Sequence, residues 1–138
     1  MSGVFLDSNV ILCLLSADTA KADAAEALLV QHPSISVQVL NEVTSVCQRK
    51  LKLAWPDTLD LLSAIQANCK VHPLTVGTHT KALEVAQQHR LSFYVALIVA
   101  SAIDCGAQTL FSEDMHHGAN IQGVRIHNPF THPSLRLT

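Results

Sequence analysis

Three carboxylates of this chain stand at positions from which they could share one cation. Asp7 directly follows Val4-Phe5-Leu6, a short apolar run that reads as the first strand. Asp114 lies just past Thr109-Leu110-Phe111, another run of the same kind. In open α/β sheets ligands bind beyond the carboxyl ends of the strands, and both acids fall there. Glu42 is the third, in the first turns of a helix that follows another strand, at the border of its apolar face. Clustered carboxylates repel, and one takes up a proton unless a cation neutralises them. Mg2+ and Mn2+ are hard cations suited to a few carboxylates plus water. A metal so held positions and acidifies a water and steadies a phosphodiester in transit. Each acid also has a plainer reading: Asp7 as a helix N-cap, Asp114 as a turn residue, Glu42 as an exposed helix glutamate.

The elements that must position these acids follow an alternating pattern. Short runs rich in β-branched residues alternate with stretches of helical period, as in parallel α/β folds. After the strand Val4–Leu6, helices are expected over Asn9–Leu15 and Thr19–Gln31, then a short strand at Ile35–Val37. From Val39 to Leu53 the residues Val39, Leu40, Val43, Val46, Cys47 and Leu51 fall on one face at period 3.6. Pro56 opens another helix, with Asp57 and Asp60 near its positive end. Val71–Leu74 reads as an edge strand, because Pro73 cannot donate to a central ladder. Thr78–Arg90 is an amphipathic helix. Ser92 then caps a helix that runs to about Cys105 before Gly106 ends it. That helix is apolar almost all round, so it belongs inside the domain. Thr109–Phe111 and Val124–Ile126 complete the strands.

The bulk numbers set bounds. With 138 residues, the chain suits a single domain over 1–138. At this size a globule buries roughly 68% of its unfolded surface. A hydrophobic share of 49% against 14% charged residues supplies a core without a disulfide or metal staple. No apolar stretch approaches the roughly 20 residues of a membrane span, and the start lacks the n-region and h-region of a signal peptide, so a cytoplasmic location is expected. Cys13, Cys47, Cys69 and Cys105 lie far apart, with no C-x-x-C, and read as small buried hydrophobes. A net charge of −2 announces no nucleic-acid partner. Arg49, Lys50 and Lys52 form the one compact basic cluster and read as a solvated helix end more readily than as a phosphate contact.

At this point the chain resembles a family. Val4-Phe5-Leu6-Asp7-Ser8-Asn9-Val10-Ile11-Leu12 looks like the opening of PIN-domain ribonucleases, above all the VapC-type toxins of toxin–antitoxin pairs. Ile35-Ser36-Val37-Gln38-Val39-Leu40-Asn41-Glu42 is similar to their second motif. Leu91 through Ala102 resembles the third, and Leu110-Phe111-Ser112-Glu113-Asp114-Met115-His116-His117-Gly118 the fourth. The resemblance implies a three-layer α/β sandwich, a parallel central sheet flanked by helices. It implies Asp7, Glu42 and Asp114 as the metal-site acids, Ser112 as an auxiliary polar group, and Mg2+ or Mn2+ as cofactor. An RNA substrate, an antitoxin partner and a homodimer are implied in the same way.

One position departs from the pattern. The family's third motif carries an aspartate where this chain has Val95. A carboxylate in the first turn of that helix would gain from the helix dipole, and valine cannot ligate a cation. The expected function is therefore an Mg2+- or Mn2+-dependent endoribonuclease that is inactive or weakened. The alternative is a non-catalytic module that keeps the fold and engages an antitoxin or other protein. Asp104 lies about half a turn around the axis from Val95 and is no substitute. His116 and His117 adjoin Asp114 in a Gly-terminated loop, and no helix carries an H-x-x-x-H pair. A haloacid-dehalogenase-type phosphotransferase needs a second Asp where Asn9 stands. A response-regulator receiver needs an acidic pair at the end of the first strand and a lysine after a later strand; both are missing.

Overall fold

The structure, a computed structural model, describes residues 3–131. The ends of the expected 1–138 domain lie outside the described residues. Strand β1 (Val4–Leu6) leads into α1 (Ser8–Leu12), which tightens into a 3-10 turn at Cys13–Leu15 and is followed by α2 (Thr19–Leu29). Then come β2 (Ser34–Ser36), α3 (Val37–Arg49), α4 (Trp55–Asn68), β3 (Lys70–His72), α5 (Val76–His89) and α6 (Phe93–Asp104). The chain ends in β4 (Thr109–Phe111), β5 (Asn120–Ile121) and β6 (Val124–His127).

The strands form one sheet in the order β3-β2-β1-β4-β6-β5. Five are parallel, which makes the parallel central sheet that was expected, and β5 adds an antiparallel edge strand on β6. The hairpin turns at Gln122 and Gly123, with φ of 50° and 93°. Two successive positive φ values match the right-handed twist of hairpin strands. From β1 the chain winds outward through β2 to β3, then crosses back to β4 on the other side of β1. Right-handed crossovers put α1–α4 on one face and α5–α6 on the other. The packing agrees: α3 meets both α1 and α4, and α5 lies along α6. The result is a central sheet flanked by helices.

The core joins Phe5, Ile35, Leu110, Phe111 and Ile126 of the sheet to Val39 and Val43 of α3 and to Ala96–Ala102 of α6. Both boundaries of α3 differ from the sequence reading. Val37 opens α3 instead of ending β2, because Ser36 takes the extended N-cap conformation (φ −112°, ψ 167°). Helix α3 stops at Arg49, well short of Leu53. There Lys52 turns left-handed (φ 51°) and the Leu53 N–H folds back to the Cys47 carbonyl. The basic cluster Arg49, Lys50 and Lys52 is accordingly an exposed helix end. Helix α6 is less enclosed than its composition suggests: Tyr94 in its first turn is 67% exposed. Gly106 (φ 74°) follows its end as expected. All four cysteines are free; Cys13 and Cys47 are buried, Cys69 and Cys105 half-buried. No helix among the described residues is long and apolar enough to cross a membrane.

Candidate acidic pocket at the strand ends

The strand order reverses between β1 and β4, which is where an open α/β sheet leaves a crevice at its carboxyl edge. Asp7 occupies it. Its N–H donates to the Phe111 carbonyl at 3.0 Å, joining the ends of β1 and β4. Its extended backbone (φ −74°, ψ 159°) also makes it the N-cap of α1, so the plainer reading of this residue holds alongside any other. Oδ1 accepts the Ser8 N–H at 2.7 Å, and Oδ2 accepts the Ser112 hydroxyl at 2.9 Å.

Asp7, Glu42 and Asp114 line one pocket of about 330 Å³, together with Ser8, Asn9, Tyr94, Val95 and Met115. Helix α3 brings in Glu42, whose two oxygens accept the Ser8 hydroxyl at 2.8 Å and the Gln38 amide at 2.9 Å. Gln38 lies one turn earlier on α3, the i,i+4 spacing at which helical side chains meet. The same amide reaches the Tyr94 carbonyl at 3.2 Å, tying α3 to the first turn of α6. Asn9 holds the third acid: its Nδ2 donates to Asp114 Oδ2 at 2.9 Å, and its Oδ1 accepts the Glu113 N–H at 3.2 Å. Ser112, fully buried, accepts the Asp114 N–H at 3.3 Å while donating to Asp7.

Burial is the dominant electrostatic fact. Asp7 is 7% exposed. That desolvation pushes its carboxyl up to about 6, against the pull of the Ser112 hydroxyl and the Ser8 N–H, with the charges of Glu42 and Asp114 adding to the rise. The surrounding donors thus offset only part of the cost of a buried charge. Among the described residues, no three His, Cys, Asp or Glu side chains are gathered closely enough to hold a metal ion by themselves.

Val95 is the third residue of α6 after its N-cap Ser92, and the first turn of that helix contains no acid. Its side chain sits in the pocket wall, half-buried. Ser92 holds the N-cap position, but its hydroxyl makes no capping bond. Asp104, at the far end of α6, accepts the Thr78 hydroxyl at 2.8 Å and plays no part in the pocket. His116 and His117 also lie outside it; His117 Nδ1 accepts the Asn128 N–H. Sequence reasoning passed over Ser8, Asn9 and Gln38 as members of the network. The spacing Gln38–Glu42 and the placement of Ser8 and Asn9 just after a strand-end acid were the available signals.

Residues 4–118 match the model of the PIN domain family. No curated protein matches the chain at a significant level. A toxin–antitoxin complex from Klebsiella pneumoniae aligns with a TM-score of 0.69 at 20% identity, over 88% of this chain and 94% of that one. VapBC2 from Rickettsia felis, bound to a DNA fragment from their promoter, aligns at 0.66 and 18% identity, over 91% and 97%. VapC20 from Mycobacterium tuberculosis, a sarcin-ricin loop cleaving toxin, aligns at 0.60 and 22% identity, over 80% and 91%. At such identities the likeness is one of fold. Taken with the match over residues 4–118, the sheet order and the strand-end site, it leads to a single assignment: the chain belongs to the PIN domain family.

Proposed function

We propose that the chain is a ribonuclease of VapC-toxin type, one domain acting in the cytoplasm. It cuts RNA with Mg2+ or Mn2+ and is weakened because Val95 stands where an acid is needed. The observation that carries this reading is the convergence of Asp7, Glu42 and Asp114 on one pocket at the β1–β4 crevice. Two acids beside a buried carboxylate at about 6 make a place that a cation would relieve. Mg2+ asks for only one or two carboxylates, with water and substrate phosphate completing its shell, so this all-oxygen set fits it without a three-residue cage. When bound, such an ion activates water and steadies a phosphodiester's charge.

The chain's own residues do the positioning. Ser112 fixes Asp7, Ser8 and Gln38 fix Glu42, and Asn9 fixes Asp114. Each carboxylate is held by a side-chain donor before any ion arrives, which lowers the ordering cost of binding. An antitoxin partner belongs to the same reading, as does a homodimer built from helices. Exposed Val76 and Leu83 lie seven residues apart on one face of α5, and Leu74 stands beside them in sequence. A monomer in sedimentation at tens of micromolar would count against the dimer.

The decisive experiment is Val95→Asp. Loss of a group that merely supports a ligand costs about 10- to 100-fold in metal affinity or activity. A missing ligand therefore sets the expected gain at no less than about 100-fold in Mg2+-dependent cleavage of single-stranded RNA. Mn2+ should also raise the melting temperature of the variant more than that of the parent chain, because it binds only the folded state. Equal cleavage by both forms sinks the assignment of Val95 to the metal site. A second reading, a non-catalytic module that binds an antitoxin, is favoured by the absence of a closed three-ligand group among the described residues. It gains if neither form cuts RNA while both bind the partner.

A further inference from the structure

Beside the acidic pocket lies a second cavity, about 380 Å³, between the α5–α6 connection and the β5–β6 hairpin. Val95, Asp114 and Met115 line both spaces, so the two share a wall. The lining of the second is aliphatic in depth, with buried Ile121 and Ile126 flanked by Leu91 and Ala119. Arg90 stands at its rim, in the left-handed conformation (φ 53°, ψ 46°) that caps α5. Glycine is the usual residue at such a cap, and an ordinary side chain there costs roughly 1–2 kcal/mol. No carboxylate forms an ion pair with Arg90 among the described residues. An apolar recess with an unpaired cation at its mouth thus adjoins the pocket proposed to hold a phosphodiester.

We propose that this cavity seats the base of a nucleotide flanking the scissile phosphodiester, with Arg90 on that nucleotide's phosphate. The inference rests on the ribonuclease reading and gives its substrate a shape. An apolar recess of this size, within the range of small-ligand pockets, accepts a flat base through its faces. The arginine meets an anion that RNA supplies at every nucleotide. A base in a duplex cannot reach such a recess, whereas an unstacked base can be splayed into it. The seat therefore selects an unpaired nucleotide next to the cut. An apolar peptide side chain alone would fill the recess and leave the cation unanswered.

The test uses the metal-free protein, methyl-labelled at Ile and Met, titrated with a single-stranded RNA pentamer. Shifts are expected at Ile121, Ile126 and Met115. Ala119→Phe, which fills the recess, should weaken the pentamer at least about tenfold, the worth of roughly 60 Å² of apolar base surface. Arg90→Ala, at an exposed position that leaves the fold intact, should reduce the salt slope of binding by about 0.7, one phosphate on a single strand. Silent methyls at Ile121 and Ile126, or a salt slope unchanged in Arg90→Ala, overturn the proposal. Shifts produced by an amphipathic peptide and not by RNA overturn it too. The two readings separate in the Val95→Asp background. Cleavage there with no effect of adding Ala119→Phe removes the base seat and leaves the nuclease. Methyl shifts with no cleavage keep the seat and remove the nuclease.

Discussion

Each end of the sheet carries a cavity, and the two are built from opposite materials. At the amino-terminal ends of the strands, Gly3, Ser34, Lys70, His72, Cys105 and Gln108 border a space of about 460 Å³. At the carboxyl-terminal ends the acidic pocket is smaller, about 330 Å³. Among the described residues, none that lines the amino-end cavity carries a carboxylate. His72 and Ser34 bond to each other at 3.0 Å; burial, with the charge of Lys70, holds His72 below its ordinary value, and burial pushes the Cys105 thiol up. His72 and Ser34 thus answer each other, and the charge that Lys70 brings to this space is positive. At the carboxyl end three acids are held in check by hydroxyls and amides, and one is pushed up to about 6. The difference follows from strand direction. In βα units the helix leaves the strand's carboxyl end, so its unpaired N–H groups and positive dipole face that edge. The Ser8 N–H at 2.7 Å from Asp7 is one such group. Cavity size does not separate the two ends; the charge they can hold does.

If the carboxyl end stores unrelieved charge, removing that charge should raise stability, the largest effect expected from this comparison. Asp7→Asn is the probe. With the carboxyl raised from 3.8 to about 6, the ionised form costs the fold about 3 kcal/mol. Because the folded state binds the proton more tightly, the parent chain gains stability as pH falls from 6 to 3.8, and the full cost stands above pH 6. Metal-free Asp7→Asn should therefore be more stable at pH 8, by up to about 3 kcal/mol. Its advantage should fade toward pH 4. Urea unfolding of both proteins across this range measures the difference. A variant no more stable at pH 8 would mean that the hydrogen bonds already cancel the burial.

The next largest effect concerns the donors. Ser112 touches Asp7 and the Asp114 backbone, so its hydroxyl orients two acids at once. In the Val95→Asp background, Ser112→Ala should lower Mg2+-dependent cleavage by about 10- to 100-fold, the usual loss when a ligand's supporting partner is removed. A higher Mg2+ concentration should recover part of it if orientation, not catalysis proper, is what the serine supplies. Activity unchanged in this double variant would reduce the network to packing.

How much of this was legible beforehand depended on the range of the signal. Asp7 and Asp114 were readable because strand ends are marked locally by short apolar runs, and the address beyond them follows from fold class alone. Glu42 was readable from helical phase. The order of the motifs pointed to Val95, whose side chain lines the same wall. Strand β5 escaped notice because two residues are too few to show alternation, and its turn is Gln122-Gly123 in place of a more recognisable Asn-Gly. Asn9 was weighed only as a missing acid, yet its amide reaches across 105 residues to Asp114. No local pattern carries a contact of that separation. Tyr94 misled in the other direction: a helix so apolar reads as wholly enclosed, but its first turn opens onto the pocket and to solvent.

The smallest expected effect tests the quiet end of the sheet. His72 sits at the edge strand β3, half-buried, its Nε2 at 3.0 Å from the Ser34 hydroxyl. Since burial lowers its affinity for a proton in the fold, the unfolded chain binds that proton more readily. Stability contributed by neutral His72 is thus present above the unfolded value of 6.5 and is lost as pH falls through it. His72→Gln cannot take up the proton and keeps an amide able to bond Ser34. At pH 8 the two proteins should differ by no more than about 1 kcal/mol, the net worth of one neutral hydrogen bond. Below pH 6 the variant should be the more stable. Cleavage in the Val95→Asp background should not move, because no residue of the acidic pocket borders this cavity. A change in cleavage with His72→Gln would couple the two ends and end the view that only one of them carries chemistry.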